Sequence, residues 1–158
     1  MLGVFQFNEV APSSATSAAS ALAVSGGDST EANGVLASVM LDEFEILTVI
    51  GEFGGNTGGT LDVYVQSFLL GHWYDVCHIK QVAAAAAMIR QQYVAGRATQ
   101  VNSTTIGIDA APALANDTIV GGVWGEKFRL WMVSGAGTTV GATVRVTIAG
   151  QIMRNAKR

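Results

Sequence analysis

The sequence has 158 residues, of which 49% are hydrophobic and only 13% charged, and its formal net charge is −3. Ordinary soluble domains carry about 25% charged residues, so this chain has little charge with which to solvate its own surface. The length indicates one domain, and the composition excludes an intrinsically disordered chain and favours a protein that buries surface in an assembly.

The first 33 residues are predicted to form an extended N-terminal arm. Residues 11–29 are almost all Ala, Ser, Thr, Gly and Pro. Such a composition buries too little apolar surface to order itself, so we expect the arm to become ordered only against a neighbour. Near its start, Val4, Phe5 and Phe7 make a short apolar strand and are candidates for an intersubunit interface.

Residues 34–150 are predicted to form an antiparallel, jelly-roll-like β-sandwich. Runs rich in Val, Ile, Leu and Thr, several of them alternating apolar and polar residues, indicate strands, and glycine-rich segments between them indicate turns. The predicted strands are 35–41, 45–53, 61–67, 73–79, 127–133 and 140–149. Residues 151–158 form a short basic C-terminal tail.

The segment from residue 82 to residue 94 allows two interpretations. Five alanines followed by Met-Ile-Arg-Gln-Gln have high intrinsic helix propensity. The strand signals on both flanks, and the lack of an N-cap residue ahead of the alanines, favour a strand over residues 88–94. The alanine run itself stays open between helix and strand.

Charge is segregated along the chain. Nine of the twelve acidic residues precede Lys80, and all nine basic residues lie at or after Lys80. Complementary contacts between copies would explain this segregation. Neutralisation between adjacent strands of one fold would explain it equally well. We expect neither a nucleic-acid nor a membrane partner, because the sequence has no basic stripe with interleaved aromatics and no apolar run of roughly 20 residues.

Motifs that would indicate catalysis or metal binding are weak. The only cluster of metal-capable residues is His72, Asp75, Cys77 and His78. In a regular strand Asp75 and Cys77 share a face while His78 points to the other, which opposes a tetrahedral site. The glycine-rich loop 54–59 lacks the Lys-Ser/Thr of a phosphate loop, and no Gly-x-Ser-x-Gly elbow is present. We therefore expect no catalytic residues, no metal and no cofactor.

Aromatic and apolar residues near turns give further interface candidates. Trp124 stands in a glycine-rich loop and is the first candidate for an intersubunit anchor, because binding hot spots are enriched in tryptophan. Trp131 lies mid-strand, which favours packing over a sugar-binding platform. Phe68 and Leu69, at the end of a predicted hairpin, are the remaining candidates.

Four sequence pieces occur in an order that matches a known pattern. They are L-D-V-Y-V-Q-S at 61–67, W-Y-D-V at 73–76, F-R-L-W-M-V-S-G at 128–135 and T-V-R-V-T-I at 143–148. This order resembles the small β-sandwich structural proteins of tailed-phage virions, including head decoration or cement proteins, over about residues 33–150. The chain departs from them at 67–72, where their Asp/Gly-rich hairpin tip is replaced by S-F-L-L-G-H.

The resemblance implies a non-enzymatic virion protein that decorates and stabilises a phage capsid by clamping neighbouring subunits. It implies the major capsid protein as a partner and the capsid surface as the location, after synthesis in the host cytoplasm. The low charge favours self-association as well, most simply as a homotrimer. A tail, collar or head-fibre component is one alternative, and a module that binds a glycan or host surface through its loops is another.

Overall fold

The computed structural model describes residues 2–10, 17–19, 23–24, 36–37, 45–55, 58–82, 89–96, 105–122, 124, 127–135 and 143–151. These residues form two antiparallel sheets that pack together, which confirms the predicted all-β sandwich. Within the described ranges, no helix has the length and apolar character needed to cross a bilayer.

The described strands are numbered β1 to β11 in chain order. They are β1 (Leu2–Val10), β2 (Ser17–Ala19), β3 (Ala23–Val24), β4 (Leu36–Ala37), β5 (Ile46–Gly54), β6 (Leu61–Leu69), β7 (His72–Val82), β8 (Ile89–Gly96), β9 (Thr118–Ile119), β10 (Lys127–Ser134) and β11 (Thr143–Gln151). The first sheet has the order β3-β1-β11-β5-β8, and the second has the order β2-β10-β6-β7-β9, with β4 also paired to β10.

The core lies between the two sheets and follows from the alternation in the strands. In β5 every second residue is buried, so Leu47, Val49 and Phe53 face inward. The same alternation holds in β11 and in the first half of β6, as expected for strands with one buried face. The second sheet also contributes buried side chains to this core, among them Val63, Ile79 and Leu130.

Strand β1, at the start of the N-terminal arm, is part of the first sheet. All nine of its residues pair with β11, from Leu2 opposite Gln151 to Val10 opposite Thr143. Phe7 is fully buried in the core between the sheets. The order of β1 therefore comes from its own chain, which corrects the expectation that this segment needs a neighbour. Most of residues 11–33, and the basic tail beyond Gln151, lie outside the described residues.

The ambiguous segment 82–94 contains the beginning of β8. Strand β8 runs over Ile89–Gly96 and pairs with β5 along the edge of the first sheet. The strand interpretation of this part is confirmed. The alanine run lies outside the described residues, so its helix-or-strand alternative is not decided by the structure.

Adjacent strands neutralise part of the segregated charge. Glu52 on β5 is the direct cross-strand partner of Arg90 on β8 and of Arg145 on β11. Its Oε1 accepts hydrogen bonds from Arg90 Nε and Nη2 at 2.9 and 2.6 Å, and its Oε2 lies 3.5 Å from Arg145 Nη1. Glu52 comes from the acidic first half of the sequence, and both arginines come from the basic second half. These contacts support the interpretation that the segregated charges neutralise each other within one fold.

Candidate functional site

A β-bulge in β7 determines which of its side chains face outward. Val65 pairs with Cys77, but the next residue, Gln66, pairs with Asp75, so Val76 is an extra residue on β7. A bulge interrupts the alternation of a strand. Cys77 consequently lies in the core between the sheets, whereas Asp75 and His78 both take part in contacts on the outer face. This corrects the expectation that Asp75 and Cys77 share a face.

Asp75 fastens a loop, residues 105–115, onto the outer face of the second sheet. Its Oδ2 accepts backbone N–H groups of Gly107, Ala113 and Leu114 at 2.8, 2.8 and 3.0 Å. Its Oδ1 accepts a hydrogen bond from Gln66 Nε2 at 2.9 Å. Hydrogen bonds to a buried carboxylate are among the stronger ones in proteins. The carboxylate is thus a fixed structural contact for the loop.

The loop can close on Asp75 only with glycine at position 107. A Cβ built on Gly107 would overlap the backbone of Ala111, Pro112 and Ala113. The Gly107 carbonyl oxygen in turn accepts the backbone N–H of Asp75 at 3.2 Å. The close approach of two backbone segments is therefore the reason for a glycine here.

A second set of hydrogen bonds joins the loop to β6 and β10. The Gln66 side chain is fully buried, and its Nε2 also donates to the Asp109 carbonyl oxygen at 3.0 Å. Arg129 donates from Nε to Gln66 Oε1 at 2.8 Å and from Nη2 to the same Asp109 carbonyl at 2.8 Å. The guanidinium lies over the rings of Trp73 and Trp131, 4.6 and 5.2 Å from their centroids. Burial lowers the pKa of Arg129, although an arginine stays charged at neutral pH.

Asp109 connects the loop to the start of β7. Its Oδ1 accepts the backbone N–H of Trp73 at 3.0 Å, and its Oδ2 lies 2.9 Å from His72 Nδ1. Its own backbone N–H donates to the Trp73 carbonyl oxygen at 2.7 Å. The hydrogen bond from the Trp73 N–H, followed by that from His72, lowers the pKa of the Asp109 carboxyl. The φ of +54° at Asp109 is one that aspartate tolerates better than most residues.

His78 is a further buried polar residue beneath the loop. Its Nδ1 lies 2.8 Å from the Leu114 carbonyl oxygen and its Nε2 lies 3.0 Å from Asp62 Oδ1. Its ring stacks on that of Tyr64, with centroids 3.9 Å apart. Burial would raise the pKa of Asp62, but hydrogen bonds from His78 and Gln81 outweigh it and hold that pKa below its usual value. Burial raises the pKa of Tyr64 to about 12.

The Asp75, Gln66 and Arg129 side chains of this outer face are used in fixing the loop. Across the described residues, no three His, Cys, Asp or Glu side chains are placed to hold a metal ion. Burial raises the pKa of the Cys77 thiol in the core, so it lacks the thiolate character that a reactive cysteine needs. What the arrangement provides chemically is a rigid surface in which a loop, three strands and two indole rings are held together.

The hairpin between β6 and β7 projects an exposed leucine. Leu70 has φ +52° and Gly71 has φ +87°, both positive as in the two-residue turns that favour Asn-Gly. Leu70 is 87% exposed. The ring of Phe68 packs against Trp73 below the turn, with centroids 5.1 Å apart. The tip is therefore apolar at its end and fixed at its base.

Two of the interface candidates predicted from the sequence belong to the chain's own core. Phe7 on β1 and Trp124 are both buried among residues of the two sheets. Glycines around Trp124 suggested an exposed loop, yet the side chain packs inward. The burial of both side chains corrects the expectation that they are intersubunit anchors.

The other candidates divide between a strand and the hairpin. Val4 and Phe5 lie in β1, opposite Ala149 and Ile148 of β11. Phe68 and Leu69 end β6 and are half-buried beside the exposed Leu70. Leu70 was not among the interface candidates predicted from the sequence. The sequence feature that could have indicated Leu70 is the apolar segment S-F-L-L-G-H at 67–72, which stands where the resembling proteins have an Asp/Gly-rich hairpin tip.

No protein-family model matches this chain, and no curated protein sequence matches it at a significant level.

Proposed function

We propose that this chain is a non-enzymatic structural protein that decorates a phage capsid and stabilises it by clamping neighbouring subunits. The observation that carries the proposal is the outer face of the second sheet. There Asp75, Gln66 and Arg129 are used in hydrogen bonds that fix the loop 105–115. A face built to be rigid suits a protein that transmits force between neighbours, and the sequence resemblance to virion proteins points to the same class.

The proposed mechanism needs no chemistry beyond binding. A protein that binds the assembled shell, and not its separated subunits, shifts the equilibrium towards the shell by mass action. In this proposal the partners are the major capsid protein and further copies of this chain, most simply as a homotrimer. The location is the outer surface of the capsid, after synthesis in the host cytoplasm.

Heating particles with and without the protein tests the proposal. Particles that lack the chain, by gene deletion or by stripping, are expected to release their genome at a lower temperature than complete particles. Adding the purified protein back should restore the higher temperature. An unchanged release temperature would contradict the clamp. Electron microscopy of the complete particles would show a head, tail or collar position.

A second candidate is a module that binds a glycan or another host-surface group. The observation that favours it is the pair of half-buried indoles, Trp73 and Trp131, which share contact with the guanidinium of Arg129. Aromatic rings beside a hydrogen-bond donor form the kind of surface on which a sugar ring stacks. Loss of host attachment on deletion, with an unchanged release temperature, would favour this candidate over the clamp.

A further inference from the structure

The chain has two histidines, and each is hydrogen-bonded to the loop 105–115. His72 Nδ1 lies 2.9 Å from Asp109 Oδ2, and His78 Nδ1 lies 2.8 Å from the Leu114 carbonyl oxygen. The side chain of His72 is 52% exposed, whereas that of His78 is 5% exposed. Water can therefore complete the hydrogen bonding of His72 in either protonation state, but His78 depends on its protein neighbours.

Both ring nitrogens of His78 face hydrogen-bond acceptors. The Leu114 carbonyl oxygen opposite Nδ1 can only accept, and Nε2 lies 3.0 Å from Asp62 Oδ1. Burial would raise the pKa of Asp62, but hydrogen bonds from His78 and Gln81 keep it below its ordinary value, so this carboxyl is ionised at neutral pH. A histidine ring carries hydrogens on both nitrogens only when it is charged. The imidazolium is thus the form that satisfies both acceptors at once.

The neutral ring would leave one of these two contacts without a hydrogen. Hydrogen bonds to a charged acceptor are the stronger kind, so a single proton belongs on Nε2, facing Asp62. The Nδ1 lone pair of His78 would then face the Leu114 carbonyl oxygen. A buried acceptor that loses its donor is destabilising, because no water takes the place of that donor. Loss of one proton from the ring therefore weakens the contact with the loop.

Asp62 is the charged group that contacts the His78 ring directly. Tyr64 stacks on the ring, and burial raises the pKa of its hydroxyl to about 12, so it stays neutral. The other titratable groups on the described elements around the ring are engaged elsewhere or exposed: Asp75 and Asp109 accept backbone N–H groups, Arg129 donates to a carbonyl, Tyr93 donates to Asp117, and Lys80 is exposed.

We propose that protonation of His78 fastens the Leu114 end of the loop to the second sheet, and that loss of this proton loosens that end as the pH rises. Histidine is the side chain whose charge ordinarily changes between pH 5 and 8. Leu114 is held from both sides, because its N–H donates to Asp75 and its carbonyl faces His78. Gly107 is bonded to Asp75 through both its N–H and its carbonyl, so the other end of the loop stays attached.

Nitrogen-15 NMR of the labelled full chain measures the protonation of His78 directly. An imidazolium gives two similar ring-nitrogen shifts, whereas a neutral imidazole gives two widely separated shifts. His72→Gln removes the signals of the other histidine and so assigns those of His78. We expect two similar shifts at about pH 5 that separate as the pH is raised to about 8.

Amide hydrogen exchange over the same pH range measures the attachment of the loop. After correction for the intrinsic pH dependence of exchange, protection of the Leu114 amide should fall at least about fivefold as His78 loses its proton. Protection of the Gly107 amide should stay constant. In His78→Gln the side chain cannot titrate, so the ratio of protection at Leu114 to that at Gly107 should not change with pH.

Asp62→Asn and Asp109→Asn are a matched pair of variants, because each removes one carboxylate beside a histidine. Without the charge of Asp62 the imidazolium of His78 is less favoured, so the fall in Leu114 protection should occur at a lower pH than in the wild type. Asp109→Asn should leave that pH unchanged, since Asp109 contacts His72.

Three results would overturn the proposal. They are a His78 ring that is already neutral at about pH 5, a ring that is still charged at about pH 8, and a ring that titrates while the protection of Leu114 relative to Gly107 stays constant. Equal displacement of the pH dependence by Asp62→Asn and Asp109→Asn would show that His78 is not the group responsible.

Discussion

The side chain of Asp75 illustrates how one residue can organise a surface. It is buried, and its two oxygens accept one side-chain and three backbone N–H groups. In Asp75→Asn, an amide N–H group would face either Gln66 or the three backbone donors, leaving buried donors unpaired. Leaving such groups unsatisfied costs about 1–3 kcal/mol each, so we expect a loss of roughly 3 kcal/mol in the free energy of unfolding.

Urea denaturation of the Asp75→Asn variant measures this loss. Hydrogen exchange should also become faster at the backbone amides of Gly107, Ala113 and Leu114, because these N–H groups donate hydrogen bonds to Asp75 in the wild type. Glu45→Gln is the matched control, because Glu45 is exposed and its change should stay within about 0.5 kcal/mol. A denaturation midpoint of Asp75→Asn equal to that of the wild type would contradict the role assigned to Asp75.

The lowered pKa values of Asp62 and Asp109 predict a loss of stability in acid. In both residues the carboxyl pKa is lower in the folded chain than its ordinary value of 3.8. A lowered pKa means that the folded state favours the ionised form. The resulting stabilisation is present above the unfolded pKa, near pH 4, and is lost as the pH falls through the folded values.

Urea denaturation at pH values from 6 to 2.5 tests this dependence. The free energy of unfolding of the wild type should fall below about pH 4. The double variant Asp62→Asn/Asp109→Asn should show a shallower fall over the same range, since neither position can titrate. Parallel curves for the two proteins would show that these carboxyls do not link stability to pH.

Strand β1 is the element whose position was least predictable from the sequence. Its apolar residues indicated a strand, but the low-complexity residues after it suggested an arm that needs a neighbour. The structure pairs β1 with β11 and buries Phe7 between the sheets. Local composition could not reveal this, because the partner strand lies at the opposite end of the chain.

This pairing predicts that β1 is ordered in the isolated protein. Amide hydrogens of Leu2–Val10 that bond to β11 should exchange slowly in a protein shown to be monomeric. Phe7→Ala should reduce the free energy of unfolding by about 3–5 kcal/mol, as is usual for loss of a fully buried phenylalanine. Val94→Ala, an exposed change on the same sheet, provides the control. Fast exchange throughout β1 would show that the segment does need a neighbour.

The presence of the long strands could be predicted from the sequence. The side-chain and loop contacts around Asp75 could not. Apolar runs between glycine-rich turns predicted the regions of β5, β6, β7, β10 and β11, and β6 and β11 also showed the alternation of strands that bury one face. The bulge at Val76 has no sequence signal, yet it decides that Asp75 faces outward and Cys77 inward. The donors to the Asp75 carboxylate also lie 9 to 39 residues away, a distance over which local patterns carry no information.

At the scale of the whole molecule, the first and last of the described strands, β1 and β11, pair with each other in one sheet. Strand β11 lies between β1 and β5 in the order β3-β1-β11-β5-β8. Strands β1 and β3 are thus attached to the rest of the first sheet through β11 alone, as far as the described strands show. Val144, Val146 and Ile148 of β11 also belong to the core shared by the two sheets. The first sheet, as far as it is described, cannot be completed until β11 has been synthesised.

Truncation before β11 should therefore prevent the sandwich from folding. A chain that ends at residue 142 loses a central strand and three core side chains, so we expect it to lack a cooperative transition when urea denaturation is followed by far-ultraviolet circular dichroism. A chain that ends at residue 151 retains all of β11 and serves as the control, and we expect it to unfold cooperatively like the full chain. Cooperative unfolding of the shorter chain would contradict the central place of β11. Because contacts between the chain ends form slowly, refolding of the control should take milliseconds to seconds rather than microseconds, as stopped-flow tryptophan fluorescence would show.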